Sequence, residues 1–365
     1  MKIASISEID ISINFKLKFK HNTKSRDKTE SFFVKIVTDS GMIGYGEGCP
    51  RSYVTGEDLK SCRKFLSEYE NSIAKLTNLD ELKIFVELNN KAISKSPSAW
   101  CAIEIALLDL LAKEKSISVE EMFELNPPIQ NHSITAVIGI DSPFLFLKKL
   151  MKYRFFGLSD FKLKLTGVKK IDKRILSWVK FSGIPSKHVR VDANNIWSDE
   201  SECIAALKEL DNLIWAIEEP LQERDIKKFI KISKETGKKI ILDESFLKVE
   251  DFEEIKSHPD IFLVNLRISK MGGIIRSLGI ISAFKKHGFK FILGTHVGET
   301  SLLGRVSLFI AENFKESIYA MEGSYSTHLL EVDPANPNIK FGKKGLVKVN
   351  DLHLKKSGWG IDFNE

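Results

Sequence analysis

Phe161-Lys162-Leu163-Lys164-Leu165 sets two lysines in strict alternation with three apolar residues. In a strand, alternate side chains share a face, so the lysines point one way and the apolar set the other. If the apolar face packs on outer helices, both lysines turn inward, where ammonium groups are costly unless acids lie opposite. The next apolar runs supply those acids. Val189-Arg190-Val191 ends in Asp192, the run at 214–217 ends in Glu218, and the run at 240–242 ends in Asp243. A further run, with Val264-Asn265-Leu266 at its core, is followed by Lys270. Lys164, Asp192, Glu218, Asp243 and Lys270 are thus separated by 28, 26, 25 and 27 residues, about one strand-plus-helix unit each time.

The same period extends on both sides. Short apolar runs fall at 134–138, 161–165, 189–191, 213–217, 239–242, 261–266, 289–293 and 318–321, with amphipathic stretches such as 198–210, 222–236, 248–257 and 272–286 between them. Eight strands alternating with helices predict an α/β fold, a parallel (β/α) barrel of TIM type over residues 131–330. A doubly wound open sheet is the alternative, but the Gly-rich phosphate loop it often carries is absent. In a barrel the charged residues at the strand ends share the face where active sites lie.

Before the barrel, residues 1–130 predict an α+β cap. Alternating residues over 3–19, a second run at 31–38 and Ile43-Gly44-Tyr45-Gly46 after the Asp39-Ser40-Gly41 turn predict three antiparallel strands. Helical periodicity follows at 56–74, 79–92 and 97–114, the last opening on Pro97 and carrying Ile103, Leu107, Leu108 and Leu111. Asn126-Pro127-Pro128 closes the unit. The tail, 331–365, holds Pro334, Pro337 and an alternating Leu346, Val347, Val349, and is expected to return to the N-terminal sheet.

Composition excludes several classes. An apolar content of 43% and a charged content of 28% are those of a globular protein, not a fibrous or disordered one. The net charge of +6 arises from 55 basic and 49 acidic residues, so the pI near 8.8 reflects a mixed surface rather than a nucleic-acid partner. Cys49, Cys62, Cys101 and Cys203 lie far apart with no CxxC pair and read as reduced thiols. No signal-peptide stretch opens the chain and no apolar run reaches membrane-span length, so a cytoplasmic protein without a membrane partner is expected. One local excess stands out: Lys16, Lys18, Lys20, His21, Lys24, Arg26 and Lys28 crowd a segment with few acids.

Three carboxylates converging on one point suit a hard dication with oxygen ligands, Mg²⁺ by default; without it they would raise one another's pKa values. Two neighbouring lysines near such a site disfavour double protonation, leaving one as a neutral base. Singly, an acid after a strand is commonly a helix cap and a lysine pair commonly a solvated face. Their recurrence at one barrel period is what gives them weight.

At these residues the chain resembles the enolase superfamily, in its muconate-lactonizing-enzyme-like subgroup (the mandelate racemase/muconate lactonizing enzyme family). The matching motifs are Lys162-Leu163-Lys164, Val191-Asp192-Ala193-Asn194, Ile217-Glu218-Glu219-Pro220, Leu242-Asp243-Glu244-Ser245 and Ser269-Lys270-Met271-Gly272-Gly273. The resemblance spans nearly the whole chain. It implies Mg²⁺ held by Asp192, Glu218 and Asp243, with Glu219 the second choice for the middle ligand. It implies Lys164 as the base, Lys162 as the group that lowers its pKa, and Lys270 as acid/base on the opposite face. The implied chemistry is removal of a proton α to a carboxylate through an enediolate. Racemisation or epimerisation leads; β-elimination and cycloisomerisation are alternatives within the same site, and a barrel serving only as a binding or scaffold protein is the alternative outside catalysis. A small carboxylate substrate and a homo-oligomer are implied by the same analogy.

Candidate substrate contacts are His21 and Arg26 in the basic segment, which sits where the family has a lid, and Tyr53 in the second lid region. His296 and Glu299 follow strand seven, and Glu322 follows strand eight. Two positions depart from the family pattern. Dipeptide epimerases of the subgroup carry Asp-x-Asp at strand eight, where this chain reads Met321-Glu322-Gly323-Ser324, so a dipeptide substrate is in question. His296 resembles the mandelate racemase group, which pairs it with an Asp where this chain has Lys270.

Overall fold

The computed structural model describes residues 1–20, 25–139, 142–210, 212–323 and 326–365; at 17–20, 25, 26 and 327 it describes the backbone alone. Five strands open the chain: β1 (Ile3–Ile9), β2 (Asn14–Lys20), β3 (Ser25–Lys28), β4 (Phe32–Thr38) and β5 (Ile43–Gly48). β1, β4 and β5 form an antiparallel sheet with β4 in the middle. The single strand expected over 3–19 is two. After Ile9 pairs with Phe33 the chain turns, Ile11 N donating to Ile9 O, and β2 leaves to form a separate hairpin with β3. Alternation persists through Ile11, Ile13 and Phe15 because a face stays buried, here against Leu330. Periodicity reports the buried face and not the strand partner.

The helix Pro97–Glu114 lies across this sheet with residues 97–112 buried throughout, as expected of a helix apolar on most sides. It approaches so closely because β5 offers it glycines at alternate positions. A Cβ at Gly44, Gly46 or Gly48 would overlap the carbonyls of Ala106, Ala102 or Ser98, one helical turn apart. Gly46→Ala should therefore destabilise the protein by on the order of 3 kcal/mol, since neither backbone can retreat. Denaturant unfolding would measure it; a change below about 0.5 kcal/mol would mean the helix is free to shift.

After β6 (His132–Ser133) come eight parallel strands: β7 (Ala136–Ile138), β8 (Phe161–Lys164), β9 (Val189–Asp192), β10 (Ala216–Glu218), β11 (Lys239–Leu242), β12 (Phe262–Leu266), β13 (Phe291–Leu293) and β14 (Ile318–Met321). They pair strictly in sequence, and Thr135 N donates to Met321 O at 2.8 Å, joining the last strand to the first. This is the TIM-type barrel expected from the period. The tail adds β15 (Ala335–Asn336), β16 (Leu346–Val347) and β17 (Asp362–Phe363); β15 pairs with β17 and β16 with β6. Phe363 stacks on Tyr45 at 4.9 Å and Trp359 is buried beside the helix Pro97–Glu114, its Nε1 donating to Ile105 O. All four cysteines are buried and unpaired, and no helix among the described residues is long and apolar enough to cross a membrane.

Two buried carboxylates of the cap sit on the N-termini of barrel helices. Glu47 accepts from Thr300 N (3.0 Å) and Oγ1 (2.6 Å) where the helix Ser301–Asn313 begins. Glu104 accepts from Ile274 N and Ile275 N where the helix Ile274–Lys286 begins. A third, Glu57, caps the helix Pro97–Glu114 through Ser98 N. Burial outweighs these hydrogen bonds and pushes each carboxyl up to about 7 from an ordinary 4.5. The folded protein therefore holds protons that the unfolded chain releases between pH 4.5 and 7. This contribution to stability is complete below pH 4.5 and lost as pH rises through 7. The thermal midpoint should fall between pH 5 and pH 8, and Glu104→Gln should flatten that fall. An unchanged slope in the variant would remove Glu104 from the account.

Candidate active site

The strand period carries the charged residues to one end of the barrel. β8 ends in Lys164, β9 in Asp192 and β10 in Glu218, with Lys164 opposite Asp192 and Asp192 opposite Glu218 in register. Asp243 follows β11, and Lys270 follows β12 on the one-turn helix Ile268–Met271. β8 and β12 lie four strands apart in the eight-stranded order, so Lys164 and Lys270 start from opposite walls.

Lys162 Nζ lies inside the barrel, 2.7 Å from Glu218 Oε1 and 3.5 Å from both Asp192 Oδ2 and Glu322 Oε1. Burial alone would strip its proton, but Glu218, Glu322 and Asp192 outweigh burial and raise its pKa. Lys164 shows the reverse. Burial, then the charges of Lys162 and Arg267, lower its pKa against the pull of Asp192 and Glu218. Its Nζ donates to Asn194 Oδ1 at 2.9 Å. Asn194 takes a left-handed φ of 46°, a conformation asparagine tolerates, and its own N–H donates to Asp192. Lys270 is fully enclosed and donates to Asp243 O (2.7 Å), Asp243 Oδ1 (2.9 Å) and Asn265 O (2.8 Å).

The two glutamates of the Glu-Glu-Pro motif divide their work. Glu219 accepts from Asp243 N, Ser245 N and Ser245 Oγ, bracing the loop after β11. Glu218 turns inward, and its Oε2 is buried with no hydrogen-bond partner. Burial pushes Glu218 up to about 8, with Asp192, Glu322 and Asp243 adding to the rise against Lys162. Among the described residues no three Asp, Glu, His or Cys side chains already converge as a metal cage. Lys162 holds Glu218, while Arg267 and Lys270 hold Asp243. The donor set still fits a hard dication: three carboxylates follow one another at adjacent strand ends, and Glu218 Oε2 is buried without a partner.

The other candidates scatter more widely. His296 is buried; Arg267 Nη1 lies 3.2 Å from its Nδ1, which must accept because a guanidinium only donates. Glu299 accepts from His296 N, and burial pushes it up to about 8. Glu322 points into the barrel between Arg190 (2.9 Å) and Lys162; burial opposes its charge, but those cations and Arg267 keep its pKa low. Tyr53 is partly exposed on the loop after β5, which Arg51 ties to the strand-seven loop by donating to Val297 O. His21 lies outside the described residues, as does the side chain of Arg26. The β2–β3 hairpin nevertheless reaches this end of the barrel, with Phe15 bridged to Leu330 and Glu331 N donating to Asn14 O.

Sequence reading missed Arg267, Asn194 and Arg190. Arg267 carried a signal: it directly follows the Val264-Asn265-Leu266 run, the position after a run that Asp192, Glu218 and Asp243 also occupy. Arg190 stands inside its apolar run rather than at its end, where the charged residues mark the site. It is fully buried, bonded to Asp160 (2.7 Å), Thr135 and Glu322 across the barrel interior.

Comparison with known proteins places the chain among relatives. Residues 10–123 match the mandelate racemase/muconate lactonizing enzyme N-terminal domain, and residues 148–365 match the enolase C-terminal domain-like family. A hydrophobic dipeptide epimerase of Enterococcus faecalis is 27% identical over 364 residues, covering 99% of each chain. An N-succinyl-L-Arg/Lys racemase of Bacillus cereus is 26% identical, covering 100% of this chain and 96% of that protein. An o-succinylbenzoate synthase of Bacillus subtilis is 25% identical over 100% of this chain and 95% of its own. The crystal structure of the Bacillus cereus racemase superposes with a TM-score of 0.86 at 24% identity, over 100% of this chain and 96% of that one. That of the Enterococcus faecalis epimerase complexed with Mg and L-Leu-L-Tyr gives 0.85 at 23%, over 99% and 100%. At those identities the structural likeness speaks for the fold.

Proposed function

The chain belongs to the mandelate racemase/muconate lactonizing enzyme family of the enolase superfamily, and from that membership we propose that it racemises or epimerises an amino-acid-derived carboxylate with Mg²⁺ as cofactor. As a member it is an enzyme, an isomerase or a lyase. The observation that carries the finer reading is the pair Lys164 and Lys270, rooted on opposite walls with Asp192, Glu218 and Asp243 on the strands between.

Asp192, Glu218 and Asp243 would hold Mg²⁺, which supplies positive charge to the substrate carboxylate as the α-proton leaves. Lys164, its pKa lowered by burial and by neighbouring charge, takes the α-proton from one side. Lys162 stays charged among Glu218, Glu322 and Asp192, and its charge helps lower the pKa of Lys164. Lys270, held by Asp243 O, Asp243 Oδ1 and Asn265 O, returns a proton from the other side. Running the exchange backwards swaps the roles of the two lysines.

Glu322 narrows the substrate. Its charge is already balanced by Arg190 and Lys162, so it does not offer a lone carboxylate to a substrate ammonium group. An N-acylated amino acid, which lacks that ammonium, fits better than a dipeptide with a free amino terminus. Incubating N-acetyl and N-succinyl amino acids beside dipeptides in D₂O tests the reading. Deuterium at the α-carbon with loss of optical activity in the acylated set is the expected result. A new alkene absorbance would point to elimination, and exchange in the dipeptides but not in the acylated set would overturn the N-acyl reading.

A further inference from the structure

Helix Pro143–Phe155, the first on the barrel's outer wall, presents its apolar residues to solvent. Phe146 and Leu150 face the barrel, Phe146 stacking on Trp178 of the next helix, Lys169–Phe181. At 3.6 residues per turn, Phe144, Lys148, Met151 and Phe155 fall within about 60° of one another on the opposite side. Phe144 is 75% exposed, Met151 57% and Phe155 90%; Phe181, ending the neighbouring helix at the same end of the barrel as Phe155, is 87% exposed. Large apolar side chains aimed outward together mark an interaction surface rather than ordinary surface scatter.

Charge says what covers it. Residues 143–157 contain Lys148, Lys149, Lys152 and Arg154 and no acid. Among the described residues Lys148, Lys152 and Arg154 form no ion pair. Lys180 adds a further exposed cation beside Phe181. A second copy seated on this face would bring like charges together around the apolar patch. Aromatic and aliphatic residues with lysines at their margin suit an interfacial helix, whose rings enter the acyl boundary while cations meet headgroup phosphates.

We propose that this face docks the enzyme on an anionic phospholipid bilayer, the barrel resting on its side wall. Hydropathy along the sequence detects spans, not surfaces, so its silence about membranes does not bear on a docking face. The face lies on the barrel's outer wall, includes none of the lysines and carboxylates of the mouth, and does not depend on their assigned chemistry.

Co-sedimentation of the intact enzyme with large unilamellar vesicles tests it. Vesicles of phosphatidylcholine with about 30% phosphatidylglycerol should bind at least tenfold more tightly than pure phosphatidylcholine, and 0.5 M NaCl should weaken the binding. Phe144→Ser with Phe155→Ser should lose at least tenfold, as should Lys148→Glu with Lys152→Glu, and circular dichroism should show both variants folded. Binding lost only in the charge variant would mean unspecific attraction and overturn the proposal. So would equal binding to both vesicle types, no binding at all, or a lipid-free oligomer that the Phe155→Ser change dissociates, which would assign the face to a protein partner.

Discussion

Lys164→Ala should abolish interconversion of antipodes yet leave α-proton exchange intact for one of them, and Lys270→Ala should do the same for the other. Each lysine starts from its own wall, so each can reach only the proton that projects toward it. Losing a positioned base costs roughly 10²- to 10⁴-fold, and Lys162 cannot substitute because the acids around it keep it charged. Mass spectrometry of each antipode in D₂O, with each variant, gives four measurements. A symmetrical loss, both antipodes falling together in both variants, would remove the two-lysine arrangement. Lys164→Arg should resemble the alanine variant, since a guanidinium does not give up its proton near neutral pH.

Chelation of divalent cations should stop turnover and lower the thermal midpoint, and Mg²⁺ should restore both. Held only by the folded protein, an ion at a hundred times its dissociation constant adds about 2.7 kcal/mol of stability. The stabilisation should vanish in Glu218→Gln, which keeps the shape of the side chain but removes its charge from the site where Oε2 has no partner. It should weaken in Asp192→Asn. If Mg²⁺ raised the midpoint of Glu218→Gln as much as that of the parent, the ion would be binding elsewhere and the three acids would need another role.

Barrel and mouth were legible because both are written at a period. Strand ends at Asp192, Glu218 and Asp243 could be read from apolar runs a unit apart, and the observed strands fall within those runs or one residue beyond them. Contacts across that period could not be read. Arg190 sits in a run that looks like any buried strand, and nothing local says that its guanidinium meets Asp160, just before β8, and Glu322, just after β14, across the barrel interior. Helix Pro143–Phe155 escaped for a different reason: with phenylalanines, leucines and methionine on both its inner and outer faces, its apolar residues mark no single stripe. The hairpin of β2 and β3 was mistaken for sheet because Ile13 and Phe15 keep alternating after the chain has changed partners.

Glu47 and Glu104 have a consequence for how substrate arrives. Each is rooted in the cap and spends its oxygens on a barrel helix, at Thr300 and Ile274. Tilting the cap away as a rigid piece would break these hydrogen bonds and leave two helix starts without their caps, a cost with no compensating contact in the structure. Admission to the mouth therefore falls to local rearrangement around an unmoving roof.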